Sequence, residues 1–502
     1  MRLKKSFYNS FSNSFILVIR TILMFVVRIV FVKKLGSELL GVDSLFTNLL
    51  LVLSIAESGI SSAICFALYK PLSDNNNNKI SAYMTFYKKM FIRLGFVVLI
   101  IGILLIPFIQ FFVREPVGNI YLYYSIYLVT TVMSYFISYK DALLIADQNL
   151  YQSNIIVGVT YVIMYILRII FLIILPDFVI YCMIQLIMLL IQRILINRYI
   201  TKKYSHISFD SKDELSTEEK NEITKGTFSI FLNKLGNYLV NGTDNIIISA
   251  IPKLGLGTVT IYTNYYSVLG AVDNIIYKGI SGITASFGDL AVNESKKVQE
   301  NVYNIIMFAN FFICGLLTIG FYFLLSDFIT LCFGKAFFIN NKTLLIICFN
   351  FYLAQVLKSL DSIKEATGNY IKDKYANLLQ ALINVVLSII LGMKFGLIGV
   401  VSATLLSYII VPLWNRPYLT YKYTFEKSPK HFYYQNFIYF ISLILVFVLM
   451  YYIIPFINVG NILMNIILRG IVIVMVYTII ILVIYRNKKE CEFFINKIKK
   501  SN

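Results

Sequence analysis

The chain has 502 residues, 58% hydrophobic and 14% charged, and a formal net charge of +19 at pH 7. Soluble domains hold about 25% charged residues, so this composition, with a mean hydropathy of +0.74, excludes a soluble globular protein and indicates an integral membrane one. The excess of Lys and Arg reflects membrane topology rather than nucleic-acid binding, because basic residues collect in loops on one side of a bilayer.

The N-terminus, MRLKKSFYNSFSNS, is basic and then polar, and it runs into an apolar stretch containing Arg20 and Arg28. No small-residue cleavage site follows a short apolar core, so it reads as a retained first helix rather than a signal peptide. A spanning helix needs about 20 mostly apolar residues. Fourteen segments qualify: 12–32, 42–69, 90–113, 119–139, 152–175, 179–197, 227–251, 258–285, 302–325, 340–360, 375–393, 397–415, 434–455 and 461–485. Residues 201–225, TKKYSHISFDSKDELSTEEKNEITK, are charged and nearly devoid of aliphatics, and they read as a cytoplasmic linker between two halves. The expected architecture is all-α integral membrane, with about 14 transmembrane helices. Residues 1–200 form an N-lobe of six spans, 226–424 a C-lobe of six, and 425–502 two further helices with a basic tail.

With the N-terminus inside, cytoplasmic segments hold roughly thirty Lys and Arg, and outside loops about seven. That asymmetry puts both termini in the cytoplasm, and the tail RNKKECEFFINKIKK is suited to anionic headgroups. An internal repeat is also visible. Lys-Leu-Gly at 34–36 recurs at 253–255, Phe46-Thr47-Asn48 faces Tyr262-Thr263-Asn264, and GISSAI (59–64) faces GISGIT (279–284), at offsets of 219, 216 and 220 residues. Six-helix halves repeat in parallel about an axis along the membrane normal, an organisation found in rocking transporters.

Several expected spans carry polar stripes. Lys234, Asn237, Asn241 and Asp244 fall within about 80° of one another on a helix. Asn264, Ser267, Asn274, Lys278 and Ser281 line one side of the eighth span, with Asp273 off that stripe. The first span holds Arg20 and Arg28; the second holds Ser54, Glu57, Ser58 and Ser61. Charges inside a membrane face protein or water, so these four spans are expected around a hydrated cavity with a cationic lining. The structural alternatives are snorkelling of Lys234 and pairing of Arg20 with Glu57. Arg168 reads as isolated and structural, and Lys358, Asp361, Lys364 and Glu365 as a solvated end of the tenth span. Six scattered cysteines suggest neither a disulfide nor a metal framework. No Walker A, H-E-x-x-H or G-x-S-x-G motif occurs in a suitable context, which speaks against an enzyme.

The stretch KKLGSELLGVDSLFTNLLLVLSIAESGISSAICFALYKPL, residues 33–72, resembles the N-terminal signature of Wzx-type bacterial polysaccharide flippases, in its glycine turn, its Asn, its Ala-Glu-x-Gly and its LYKPL ending. These belong to the multidrug/oligosaccharidyl-lipid/polysaccharide (MOP) superfamily. The resemblance implies translocation of an undecaprenyl-pyrophosphate-linked oligosaccharide repeat unit across the cytoplasmic membrane, for capsule or related polymers. It implies alternating access coupled to Na⁺ or H⁺, no other cofactor, and polymerase and glycosyltransferase partners. A pyrophosphate needs cations, for which Arg20, Arg28, Lys234 and Lys278 are the candidates. A glycan needs amides such as Asn48, Asn237, Asn241 and Asn264. A coupling ion needs carboxylates: Glu57, Asp244 or Asp273. The alternatives are a lipid II flippase, which cavity charge does not exclude, and a MATE-like drug exporter, which favours an acidic or apolar cavity. A reporter fused at Lys212 is expected to read as cytoplasmic; an external signal would overturn the topology.

Overall fold

The computed structural model describes the backbone of residues 2–147, 149–367, 369 and 375–501; side chains at 2–15 and at scattered helical positions, including Ser58, Lys234, Asn237, Asn241, Lys278 and Ser281, lie outside the described residues. No strand occurs among the described residues. The helices are α1 (Arg2–Leu35), α2 (Ser37–Ser73), α3 (Asn77–Leu105), α4 (Ile109–Phe112), α5 (Ile120–Ser138), α6 (Asp141–Ala146), α7 (Leu150–Ile174), α8 (Phe178–Lys203), α9 (Thr217–Gly242) and α10 (Asp244–Ala250). They continue as α11 (Gly255–Asn293), α12 (Lys296–Phe333), α13 (Asn341–Ala366), α14 (Ala376–Phe395), α15 (Leu397–Ile410), α16 (Pro412–Thr420), α17 (Lys430–Ile453), α18 (Ile462–Tyr485) and α19 (Lys489–Ser501). Each of the fourteen expected segments falls on this helical framework, and ten described stretches are long and apolar enough to cross a membrane.

Helix starts and breaks follow from identifiable residues. Asn119, Asp177, Asn340 and Asn461 cap α5, α8, α13 and α18 by accepting backbone N–H groups. Both Lys-Leu-Gly copies end on a glycine in the left-handed region, Gly36 at φ 90° and Gly255 at φ 71°, where only glycine is free of strain. Each glycine stands where a new long helix begins, α2 or α11.

The seventh expected span, 227–251, differs from the expectation of one helix, because α9 stops at Gly242 and α10 starts at Asp244. The hydroxyl of Thr243 donates to the Leu239 carbonyl at 2.5 Å, a back-bond that bends helices. Residues 201–225 are helical at both ends. α8 runs to Lys203, and Ser216 opens α9 through a capping box with Glu219. The loop between them is strapped to α3: Ser208 and Ser211 N–H groups donate to Ser81 and Thr85 at 3.0 and 2.9 Å, and Lys88 donates to Asp210 at 2.6 Å.

The helices gather into two compact units, residues 1–260 and 261–502, divided within α11. In the first unit α2 is central, touching α3, α5, α6, α9 and α10, while α1 packs on α7 and α8 joins α7 to α5. Its core includes Phe31, Leu45, Phe91, Tyr124 and Tyr135. In the second, α12 packs on α13 and α18, and α14 on α15. Phe311 stacks on Tyr439 at 4.2 Å in its core. Large apolar side chains such as Ile170, Ile174, Ile441 and Val448 stay exposed, as a lipid-facing surface requires. Since lipid is as apolar as these side chains, helices associate through close packing and hydrogen bonds. Asn384 of α14, for example, donates to Thr404 of α15 at 3.2 Å.

Backbones pack closely where α2 meets the start of α11. A Cβ at Gly41 would lie 2.4 Å from the Leu256 carbonyl oxygen, whereas nothing lies within 4 Å of one at Gly257. Gly41→Val is therefore expected to destabilise by about 1–3 kcal/mol, read as a lower melting temperature in detergent, with Gly257→Val as the unaffected control. Equal melting of the two variants would remove this contact from the account.

Candidate functional site

The first unit concentrates cations on α1, α7 and α8. α1 presents Arg20 and Arg28, eight positions apart, to α7, against which it packs. The Arg20 guanidinium sits 3.9 Å from the centre of the Tyr161 ring, with Tyr165 one turn further along, also beside it. Arg28 is half-buried, and its electrostatic surroundings are Asp43 of α2, Tyr181 of α8 and Tyr165. Arg168 is 5% exposed. Its Nε donates to the Tyr181 carbonyl at 3.2 Å, its terminal nitrogen donates to Gln185 at 2.6 Å, and the group lies 3.6 Å from the centre of the Tyr181 ring. Asp43 accepts from the Tyr127 hydroxyl and acts on both Arg28 and Arg168. Two guanidiniums thus share one carboxylate, which leaves a local positive charge solvated by aromatic faces and carbonyls. Arg168 is not isolated, as its sequence context suggests, but belongs to this cluster.

Glu57 lies on α2, half-buried, and accepts from Ser138 at 3.3 Å. Its charged neighbours are Arg193 and Asp141, themselves paired at 2.6 Å. Asn48 is half-buried on the same helix. Asp244, 2% exposed, occupies the first turn of α10, where a carboxylate is favoured by the helix dipole. The side chains of Lys234, Asn237, Asn241 and Lys278 lie outside the described residues, so the expected stripes of the seventh and eighth spans are described only at Asp244 and at Asn264, Ser267 and Asn274.

In the second unit Asn264 is fully buried on α11. Asp273 accepts from Gln355 at 2.5 Å and from Lys358 at 2.7 Å, both on α13. The expected solvated end of the tenth span is largely enclosed. Lys364 is 3% exposed and pairs with Asp361 at 2.9 Å, and Asp361 also pairs with the buried Arg416 at 2.5 Å. The enclosure comes from α16, which carries Arg416 and packs on α13 beyond the end of the expected 397–415 span. Glu365 remains exposed. Gln355 and Lys358 carry a readable signal, an i, i+3 polar pair within an apolar helix, which the run of charges after them obscures.

No protein-family model matches the chain. No curated protein matches it either. Solved structures do. One is a lipid II flippase, MurJ, in an inward closed conformation, with a TM-score of 0.69 and 17% identity over 95% of this chain and 99% of that one. A second is a multidrug resistance MATE family transporter of the MOP superfamily, inward-facing, with a TM-score of 0.67 and 15% identity over 80% of this chain and 94% of that one. A third is a mutant of the Vibrio cholerae MATE transporter VcmN, with a TM-score of 0.55 and 12% identity over 84% of this chain and 98% of that one. The fold is that of the MATE and MurJ transporters.

Arg168 is the most fully enclosed of the three clustered arginines. Arg168→Ala removes the charged donor to Gln185 and the second donor to the Tyr181 carbonyl, at about 1.5–3 kcal/mol for a hydrogen bond to a charged group. The expected melting temperature falls further than for Arg20→Ala, and Arg168→Lys does not restore it, since an ammonium lacks the fork that reaches both acceptors. Equal melting of Arg168→Ala and wild type would contradict this.

Proposed function

We propose that the chain is a flippase, not an enzyme, that moves an undecaprenyl-pyrophosphate-linked oligosaccharide repeat unit across the bacterial cytoplasmic membrane. In this reading the termini are cytoplasmic, transport is by alternating access, and the product feeds a polymerase that builds a surface polysaccharide. The observation that carries it is the set of clustered arginines: Arg28 and Arg168 both lie in the field of the Asp43 carboxylate, and Arg20 lies on the same helix as Arg28, over the Tyr161 ring. A pyrophosphate crossing hydrocarbon unaided must give up its hydration, at a cost of many kcal/mol for each charge. Guanidiniums held inside the membrane replace that hydration with charge-assisted, fork-shaped contacts. The polyprenyl tail needs no such help and stays in lipid. Half-buried Asn48 and buried Asn264 supply amides for a glycan, as do Asn237 and Asn241. Lys234 and Lys278 add cations. Glu57, with Ser138 and the Arg193–Asp141 pair around it, and Asp244 are proposed to take the Na⁺ or H⁺ that couples transport.

A second reading, a flippase for lipid II itself, is favoured by the 95% of this chain that aligns with MurJ, against 80% for the inward-facing MATE transporter. Both lipids carry an anionic carrier, so the arginine cluster serves either. A MATE-like exporter of cationic drugs is the weaker reading, because the cluster repels a cation.

Arg20→Ala and Arg28→Ala are expected to lower polymer export by about tenfold or more, the worth of one charge-assisted contact, with normal protein levels and with lipid-linked repeat units accumulating. Normal export from both variants would sink the proposal. Accumulated lipid II in place of repeat units would favour the second reading.

A further inference from the structure

Asp273 is held unusually for a carboxylate inside a membrane protein. A single oxygen, Oδ1, accepts both Gln355 Nε2 at 2.5 Å and Lys358 Nζ at 2.7 Å. The donors are fixed from behind. Gln355 is buried, and its backbone carbonyl accepts Asn310 of α12 at 2.9 Å. Lys358 Nζ lies 5.0 Å from the centre of the Tyr277 ring. Yet the pair is open, with the side chains of Lys358 and Asp273 26% and 36% exposed. Charges opened onto lipid are expensive, so this opening faces water or a polar ligand. The nearby Arg416–Asp361–Lys364 group contrasts with it, because both its cations are buried and committed to one another's counter-ion.

Two fixed donors converging on one oxygen, with access from outside, are the makings of an oxyanion site. The carboxylate oxygen of Asp273 stands where an oxygen of an incoming anion would sit. We propose that Gln355 and Lys358 form a binding site for the phosphate of the transported lipid, and that Asp273 is its displaceable counter-ion. This inference rests on the flippase reading and adds to it a site in the second unit, distinct from the arginine cluster. No bond is made or broken; one anion replaces another. With Asp273 in place the unladen site is neutral, and no bare ammonium sits in the membrane. A pyrophosphate carries more charge than a carboxylate, so it competes for Lys358 and frees Asp273 to the hydrated opening.

The test uses the full-length protein and undecaprenyl pyrophosphate as the probe, with occupancy read by native mass spectrometry. Asp273→Asn keeps the hydrogen-bond acceptor and removes the competing charge, so occupancy is expected to rise. Lys358→Gln is expected to lower it about tenfold, Lys358→Arg to retain it, and the double variant Asp273→Asn with Lys358→Gln to follow Lys358→Gln. The double variant leaves no unpaired charge, so its binding reports the site even where Lys358→Gln alone folds poorly. If Asp273→Asn weakens binding as much as Lys358→Gln does, the pair is a structural bridge and the inference fails. If the wild type binds the probe and the double variant binds it equally well, the inference fails while the flippase reading stands. Displacement of the probe by excess phosphatidylglycerol would reassign the site to bulk phospholipid and overturn it. If neither wild type nor Asp273→Asn takes up any probe, the flippase reading falls and this inference with it.

Discussion

A cation held inside a hydrocarbon slab must be solvated by the protein that surrounds it. Insertion scales put the cost at about 2.5–3.5 kcal/mol for each central Arg or Lys. The chain meets it in two ways. In the first unit Arg20 lies over Tyr161, and Arg168 lies over Tyr181 while donating to the Tyr181 carbonyl and to Gln185. A ring face or a carbonyl stabilises a guanidinium without neutralising it. In the second unit the partners are carboxylates: Asp273 for Lys358, Asp361 for Arg416 and Lys364, and Asp327 for Arg469. The Asp273–Lys358 and Asp327–Arg469 pairs cancel charge, whereas Asp361 balances one of its two cations. In the first unit Asp43 likewise balances one of Arg28 and Arg168, while Arg193 is neutralised by Asp141.

The backbone places these groups through a few local devices. The two left-handed glycines, Gly36 and Gly255, let a long helix start immediately after each Lys-Leu-Gly. Gly41 then lets α2 approach the Leu256 backbone without a side chain between them. The helix is interrupted at Thr243, whose hydroxyl back-bonds to Leu239, so Asp244 stands in the first turn of a new helix. Each device trades helix continuity for position, as membrane helices do where neighbours re-satisfy the freed backbone groups.

Much of this was legible in the sequence. Segments of about 20 apolar residues fall on helices because length and hydropathy alone determine a span. The capping box at Ser216 and Glu219 was readable from the run Ser-Thr-Glu-Glu within the expected linker, though net polarity masked it. The cations of α1 stood out because arginine in an apolar run has few bland explanations. What the sequence hid was partnership. That Arg168 shares Asp43 with Arg28 depends on packing across α1, α2, α7 and α8. That Lys364 is buried depends on α16, which continues beyond the hydropathy peak that defines its span. Helical periodicity assigns a face, but which helix covers that face is a tertiary property.

The central claim is that an anionic lipid-linked sugar crosses the membrane through this protein. The most direct measurement is the leaflet that holds lipid-linked oligosaccharides after the protein is depleted from cells, assayed by accessibility to an external glycan-modifying enzyme. Repeat units stranded on the cytoplasmic side are expected. Repeat units that reach the outer leaflet at the normal rate without the protein would contradict the claim.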